Sequence, residues 1–307
     1  MRALAALVAL AAGGAMAVVV PAQAHGLAAQ AGAVPGWTWD PAITVPLAIV
    51  PAVYIAGWRR IAARARGGAA LLRRRGSWFA FGWLVLVLAL VSPLHDGGER
   101  SFTLHMIEHE LLMLVAAPAL VIAGPLPALL WAWPGAVRRA AGRSPGTRAL
   151  VAVAHRLRSP VPATLVQAAV LWTWHAPALF DLALADPGWH AAQHLAFIAS
   201  ALWFWATVLP RHGPSAGAGK DALAGLCLFA TSVVSGMLGA LMALSDSPWY
   251  AGYARIGMAP LGLDPVQDQQ VAGLIMWVPG GVVHAAAALF VVGRLLSAHR
   301  GEAAHAR

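Results

Sequence analysis

Seven apolar runs, separated by short polar segments, dominate the pattern along the 307-residue chain. Each run is close to the roughly 17–25 residues that an α-helix needs to cross the hydrocarbon core of a bilayer. The pattern therefore predicts an all-α, polytopic membrane protein with seven transmembrane helices, forming one membrane domain over residues 40–296. The predicted spans are Asp40–Trp58, Trp78–Leu94, Ser101–Gly124, Val161–Leu182, Trp189–Leu209, Ala222–Leu244 and Gln270–Leu296.

A further apolar stretch at the N-terminus is typical of a signal peptide. Arg2 precedes the stretch Ala3–Val20, and Ala22-Gln23-Ala24 matches a small-residue cleavage site. The alternative is an uncleaved first membrane helix, but Pro21 favours cleavage because it would break a helix where signal peptides end. We expect a signal peptide over residues 1–24, a short extracytoplasmic segment over 25–39 and a cytoplasmic tail over 297–307.

Composition and charge support a membrane protein and indicate its orientation. Hydrophobic residues make up 60% of the chain, charged residues 11%, and the mean hydropathy is +0.68. The net charge of +9 does not indicate a nucleic-acid partner, because the basic residues lie in short segments between apolar runs. Eighteen of the 21 Lys and Arg residues fall on one predicted side, which the positive-inside rule assigns to the cytoplasm. We expect the N-terminus outside and the C-terminus in the cytoplasm.

Six histidines fall at the predicted outer ends of the spans, opposite the arginines. They are His95, His105, His109, His175, His190 and His194. Four of them form two pairs spaced four residues apart, which places both imidazoles of a pair on one helix face. A single pair could equally well be hydrated at a helix end. Because four helices deliver imidazoles to one layer, the pattern predicts a metal or haem site there.

Other side chains could complete such a site. Met106 supplies a thioether near the first pair, and Met276 lies in the outer half of the last span, although methionines in membrane helices more often pack than bind metal. His284 lies near the middle of that span, where a hydrogen bond to the backbone is an equal alternative to ligation. Imidazole with thioether suits copper, while imidazole alone also suits zinc or haem iron. Cys227 is the single cysteine, which excludes an intramolecular disulfide and a cysteine-cluster metal site.

Acidic residues and the predicted mature N-terminus add secondary candidates. Glu108 and Glu110 flank the second histidine of the first pair. Asp268 precedes the last span, where it could either orient a ligand histidine or cap a helix. Signal cleavage would make His25 the first residue, whose amine and imidazole could chelate copper together.

Several motifs resemble the CtaG family of caa3-type cytochrome c oxidase assembly factors, and the likeness runs from about Asp40 to Leu296, across every predicted span. The motifs are Ser92-Pro-Leu-His95, Leu104-His-Met-Ile-Glu-His109-Glu-Leu-Leu, Ala117-Pro118, Gly124-Pro125, Trp174-His175-Ala-Pro177, the His190/His194 pair with Trp203-Phe-Trp, and Gly273-Leu-Ile-Met276-Trp. The resemblance implies a multi-pass protein of the bacterial plasma membrane that helps to form active haem-copper oxidase by supplying copper. It also implies that His105, His109, His175, His190 and His194 occupy the family's histidine positions. Ala117-Pro118-Ala119 departs from the usual Ala-Pro-Pro, a change that affects a kink rather than a ligand.

The predicted function is therefore a non-enzymatic assembly factor that binds copper at the outer face and contacts an oxidase subunit and membrane lipids. The chain carries no phosphate loop, Ser/His/Asp arrangement or paired carboxylates that would indicate an enzyme. A haem-binding electron-transfer protein is one alternative, in which histidines ligate haem iron axially. A copper transporter is another; it would be expected to contain broken helices, for which Pro279-Gly280-Gly281 is a signal.

Overall fold

The computed structural model describes residues 35–65, 67–147, 149, 152, 158–209 and 218–305. Over these residues the chain is helical and contains no strand. The helices are α1 (Pro41–Ala62), α2 (Ala69–Val91), α3 (Pro93–Gly98), α4 (Phe102–Ala123), α5 (Leu126–Trp131), α6 (Gly135–Arg143), α7 (Pro160–Trp174), α8 (Pro177–Ala185), α9 (Pro187–Val208), α10 (Ala218–Ala243), α11 (Ala251–Ile256) and α12 (Pro265–His305). The predicted signal peptide and His25 lie outside the described residues.

Six of these helices are long and apolar enough to cross a membrane: α1, α2, α4, α9, α10 and α12. The pair α7 and α8 passes the same test together, although its two members are bent by 71°. The predicted all-helical membrane architecture is thus confirmed, with six spans or, if the bent pair is one span, seven. Among these spans α4 is the most buried and α9 the next, so the two helices that carry the histidine pairs form the centre of the bundle.

The fourth predicted span, Val161–Leu182, is wrong as a continuous helix. Helix α7 ends at Trp174, and Ala176 adopts an extended conformation with φ −62° and ψ 128°. Pro177 explains the break, because its ring disfavours helical geometry at the preceding residue and it has no N–H to donate. His175 consequently lies at the bend rather than within a straight helix.

Several element boundaries also differ from the predictions. Helix α2 begins at Ala69, so Arg73, Arg74 and Arg75 lie on its first turns instead of in a loop. Helix α12 continues through Pro279 to His305, beyond the predicted end of the last span. The short helices α5 and α6 fall in predicted loops, and α3 begins at Pro93, within the predicted end of the second span. Hydropathy predicts only the part of a helix that lies in lipid. The helical hydrogen bonding of the backbone can continue beyond the lipid, because long basic side chains on the added turns extend to water.

A π-helical segment over Leu111–Ala116 interrupts α4. There the N–H of Ala117 donates to the carbonyl of Leu112, five residues earlier. The next donor in that register would be Pro118, which has no N–H, so the carbonyl of Met113 is left for another partner. The indole Nε1 of Trp205 on α9 donates to this carbonyl at 2.8 Å. The wide turn is therefore tied to α9 at the depth of Met113.

Helices α10 and α12 pack against each other through glycine. A Cβ placed on Gly239 would lie 2.7 Å from the carbonyl oxygen of Gly273, and one on Gly273 would lie 2.5 Å from that of Gly239. Small residues at a membrane helix interface allow the backbones to approach this closely. This contact fixes α12, which in turn holds α4, the helix of the first histidine pair.

Candidate metal centre

Five histidines from α3, α4 and α9 converge on one point at the start of α4. We call His95, His105, His109, His190 and His194 the histidine cluster. The ring centroids of His105 and His190 lie 5.3 Å apart, those of His190 and His194 4.4 Å, and those of His109 and His194 5.1 Å. All five side chains are largely removed from solvent. The two pairs that were recognised from their spacing thus face each other across the interface between α4 and α9.

The cluster contains two overlapping groups that could each hold a metal ion. One consists of His95, His190 and His194, and the other of His105, His109 and His194. Within each group the potential ligand nitrogens all lie within 4.8 Å of one another. His194 belongs to both groups and therefore occupies the centre of the arrangement.

Two of the cluster imidazoles are oriented by partners on their Nδ1 atoms. His95 Nδ1 donates to Oε1 of Glu108 at 2.8 Å. The Tyr253 hydroxyl donates its single proton to the carbonyl of Gly98 at 2.6 Å and lies 3.1 Å from His105 Nδ1. Because that proton is already used, His105 Nδ1–H must be the donor to the Tyr253 oxygen. In their neutral form both rings therefore present the lone pair of Nε2, which is the arrangement that supporting partners impose on metal-ligating histidines.

The pKa values of His95 and of Tyr253, the residue that orients His105, are shifted from their usual values. Burial lowers the pKa of His95, but the hydrogen bond and negative charge of Glu108, with Glu99 and Asp96, outweigh it and raise that pKa above its usual value. Burial raises the pKa of Tyr253 well above its usual value, and the nearby acidic residues Asp268, Glu108 and Glu99 add to this effect. Tyr253 therefore remains a neutral hydroxyl that can both donate and accept.

Several buried polar atoms of the cluster have no hydrogen-bond partner among the residues that the structure describes. Both ring nitrogens of His109 lack one, as do Nε2 of His105, His190 and His194 and Oε2 of Glu108. Burying polar atoms without partners is costly, and most buried polar groups in proteins are paired. Imidazole nitrogens that converge with free lone pairs are the ligands that a transition-metal ion requires, so the residues present fit such an ion.

Helix α3 brings His95 to the cluster. Ser92 caps its first turn by accepting from the N–H of Leu94, and Pro93 supplies a favourable first residue. At its other end, a Cβ on Gly98 would lie 3.3 Å from Glu108 Oε2 and 3.3 Å from the Cα of His105. Glycine at this position allows α3 to lie directly against α4.

Asp268 holds the N-terminus of α4 from the first turn of α12. Its carboxylate accepts from the hydroxyl of Ser101 at 2.9 Å, the N–H of Phe102 at 2.6 Å and the N–H of Thr103 at 3.1 Å. The hydroxyl of Thr103 donates in return to the Asp268 carbonyl at 3.0 Å. Asp268 was expected either to orient a histidine or to cap a helix. It caps a helix, but one 165 residues earlier in the chain, and so fixes the helix that carries His105 and His109.

His175 lies beside the cluster and is not part of either three-histidine group. Its Nδ1 donates to the Leu171 carbonyl at 2.7 Å, which leaves Nε2 without a partner. The rings of Phe180 and Phe197 contact His175 at centroid distances of 6.1 and 5.9 Å. Phe180 also contacts His105, and Phe197 contacts His109. The bend after α7 thus places a sixth imidazole against the phenyl rings that border the cluster.

The remaining predicted ligands are Met106, Met276 and His284. Met106 is buried in the hydrophobic core. Met276 and His284 line a separate cavity together with Glu110. His284 Nδ1 donates to the Gly280 carbonyl at 2.7 Å, the backbone hydrogen bond that the sequence left as an alternative.

Two residues near the cluster were not foreseen. Tyr253 lies in a predicted outer loop, and no motif in the sequence connects it with His105, 148 residues away. Gln193 is fully buried on α9, and neither atom of its amide has a hydrogen-bond partner. The sequence signal that points to Gln193 is its position between His190 and His194, the two histidines of the α9 pair. The sequence places Glu108 beside His109, whereas in the structure it contacts His95 and lies 3.7 Å from His194.

Comparison with known proteins supplies the family. The family described as cytochrome c oxidase caa3 assembly factor, Caa3_CtaG, matches residues 52–298. The chain belongs to this family. No curated protein and no solved structure matches the chain.

The family match covers all five residues of the histidine cluster and the helices that position them. The apolar helices identify this assembly factor as a membrane protein, and its family assigns it to the formation of cytochrome c oxidase. Both statements agree with what the resemblance implied. Because the match extends to residue 298, it also includes Asp268, which anchors α4, and the lining of the separate cavity.

Proposed function

We propose that this assembly factor binds copper in the histidine cluster and delivers it to a subunit of the haem-copper oxidase. The protein acts as a carrier and performs no catalysis. By the positive-inside rule the cluster lies near the outer face of the bacterial plasma membrane, with the N-terminus outside and the C-terminus in the cytoplasm. Lipids surround the exposed apolar faces of the helices.

The observation that carries this proposal is the set of unpartnered imidazole nitrogens in two groups that share His194. Neutral imidazole is a good ligand for copper, which lies at the strong end of the divalent series. Two overlapping groups also suit a carrier, because an ion can change ligands step by step without leaving the protein. His95 and His190 are each 8% exposed and His194 is partly exposed, whereas His105 and His109 are 1% exposed, so the group of His95, His190 and His194 is the side from which a partner could receive the ion.

The same geometry argues against a haem at this position. Axial ligation requires a macrocycle between two imidazoles, and the cluster rings instead contact each other directly, with centroids 4.3–6.2 Å apart. These contacts favour a bare ion over a porphyrin. A haem protein would also show a Soret band after purification, which a copper carrier lacks.

Metal analysis of the purified protein tests copper binding. Wild type should retain copper through gel filtration, and the double variant His105→Ala/His109→Ala should retain less. His299→Ala is a matched control, because it also removes an imidazole but far from the cluster. Asp268 on α12 contacts the start of α4, and His299 lies 31 residues further along α12. Equal copper content in wild type and the double variant would contradict the proposal.

Deletion of the protein tests delivery. The oxidase should then keep its haem while losing copper, and added copper should restore at least part of the activity because mass action can replace a carrier. Loss of haem together with copper, without rescue by excess copper, would contradict copper delivery and favour a docking or haem-handling role.

A further inference from the structure

A second polar site lies within the membrane domain, separate from the histidine cluster. Helices α4, α7, α10 and α12 enclose a cavity of about 20 Å³. This volume has room for about one water molecule or one ion. The lining includes Glu110, Met113, Gln167, Ser235, Met276 and His284. Polar residues at this depth are costly in a membrane protein and generally mark a functional site.

Two buried oxygen atoms among these residues have no hydrogen-bond partner in the described part of the chain. They are Oε2 of Glu110 and Oε1 of Gln167. Gln167 is only 8% exposed, and its Nε2 already donates to the sulfur of Met113 at 3.7 Å. Glu110 Oε2 lies against Gly280, where a Cβ would approach it to 3.4 Å. A carboxylate oxygen and an amide oxygen are thus available to the cavity.

Soft ligands surround the same space. Met113 lies in the π-helical segment of α4, and Met276 and His284 lie one turn before and one turn after Gly280 on α12. His284 is fixed by its Nδ1 bond to Gly280 and by stacking on Trp205, with ring centroids 5.6 Å apart and planes 9° apart. These contacts leave His284 Nε2 as its free nitrogen. Thioether and imidazole together select copper, and thioether in particular selects Cu(I).

Charge also favours a monovalent ion. No Lys or Arg occurs among the described residues that line the cavity, so an ionised Glu110 has no basic partner there. A Cu(I) ion with one carboxylate gives a neutral complex, whereas a divalent ion would leave an uncompensated charge in the membrane interior.

We propose that this cavity is a second copper site, in which Glu110 and the thioethers of Met113 and Met276 bind one Cu(I) ion, with His284 at its inner end. The choice of copper rests in part on the proposed function, while the cavity and its ligands are independent of the cluster. Glu110 directly follows His109, so α4 contributes to both sites. Met113 lies four residues, or about 6 Å, further along α4 than His109.

The test separates the two sites with purified protein in detergent. His105→Ala, His109→Ala and His194→Ala are combined to remove the cluster, and Cu(I) is titrated under reducing conditions against a chromophoric chelator. This variant should retain one Cu(I) per chain, with sulfur ligands visible in X-ray absorption. Adding Met276→Leu or Glu110→Gln should weaken the remaining binding at least tenfold. Met237→Leu is the matched control, since Met237 is 50% exposed on α10.

A second measurement keeps the wild-type cluster, in case the triple variant does not fold. Met113→Leu with Met276→Leu should lower the Cu(I) stoichiometry by one and remove the sulfur signal. Unchanged stoichiometry, or no sulfur signal in wild type, would overturn the second site and show that the cavity holds only water. If instead the wild type binds a single sulfur-ligated Cu(I) that the triple variant retains, the cluster proposal fails and the cavity site stands.

Discussion

The substitution Glu108→Gln removes a charge from the histidine cluster while nearly preserving the side chain's shape. Glu108 is fully buried, accepts a hydrogen bond from His95 Nδ1 at 2.8 Å and lies 3.7 Å from Nε2 of His194. Its carboxylate orients His95 and supplies the negative charge closest to the shared histidine. If the cluster binds a cation, both contributions should appear in the affinity.

Two separate arguments give the expected loss of copper affinity. Loss of a partner that orients a ligand histidine weakens metal binding about 10–100-fold. Unit charges about 5 Å apart, at an effective dielectric constant of about 20, interact by about 3 kcal/mol. Because solvent does not reach Glu108, little of this interaction is screened. We therefore expect a weakening near the upper value, about 100-fold, which corresponds to about 2.8 kcal/mol.

Competition between the protein and a chromophoric copper chelator measures this affinity directly. Glu302→Gln is the control, because it removes the same charge near the end of α12. A change of less than about threefold for Glu108→Gln, in protein that elutes as the wild type does, would refute the assignment of Glu108 as a supporting partner of a metal site.

Three further results are expected. His194→Ala should lower copper retention more than His105→Ala, because His194 belongs to both three-histidine groups; equal losses measured by metal analysis would contradict the shared position. Asp268→Ala should destabilise the protein by about 2–4 kcal/mol in a detergent unfolding titration, since three donors of the α4 N-terminus lose their acceptor, and Asp268→Asn should cost less. Reporters placed after Arg307 and near Pro260 should lie in the cytoplasm and outside, respectively; finding both on one side would contradict the predicted topology.

The helices were predictable because lipid imposes a simple requirement on length and hydropathy. The predicted span Ser101–Gly124 and the observed helix Phe102–Ala123 differ by one residue at each end. The fourth span was not predictable in the same way, since hydropathy does not register a bend. Ala176-Pro177 carried the signal for that bend, but proline is common in membrane helices and often leaves them continuous, as Pro279 does in α12.

The candidate site was predictable only where its geometry is local. The four-residue spacing within each histidine pair fixes a shared helix face, so the pairs could be recognised from sequence. Which faces meet depends on how helices distant in the chain pack. The contact of Tyr253 with His105 and the cap that Asp268 provides to α4 are both of this kind. The same reasoning explains why the sequence predicts Met276 and His284 as candidate metal ligands by residue type but does not separate them from the cluster.

Helix α4 forms the wall between the two proposed copper sites, because neighbouring residues of this helix point toward different partner helices. Successive residues of an α-helix point about 100° apart, so His109 can face α9 while Glu110 faces Gly280 of α12. Asp268 holds the outer end of α4 to α12, and Trp205 holds its π-helical segment to α9. The contact with Asp268 therefore links α4 to α12, which completes the cavity site, and the contact with Trp205 links α4 to α9, which completes the histidine cluster. A displacement of α4 along or about its axis would change the ligand geometry at both sites together, so the two sites cannot be adjusted independently through this helix.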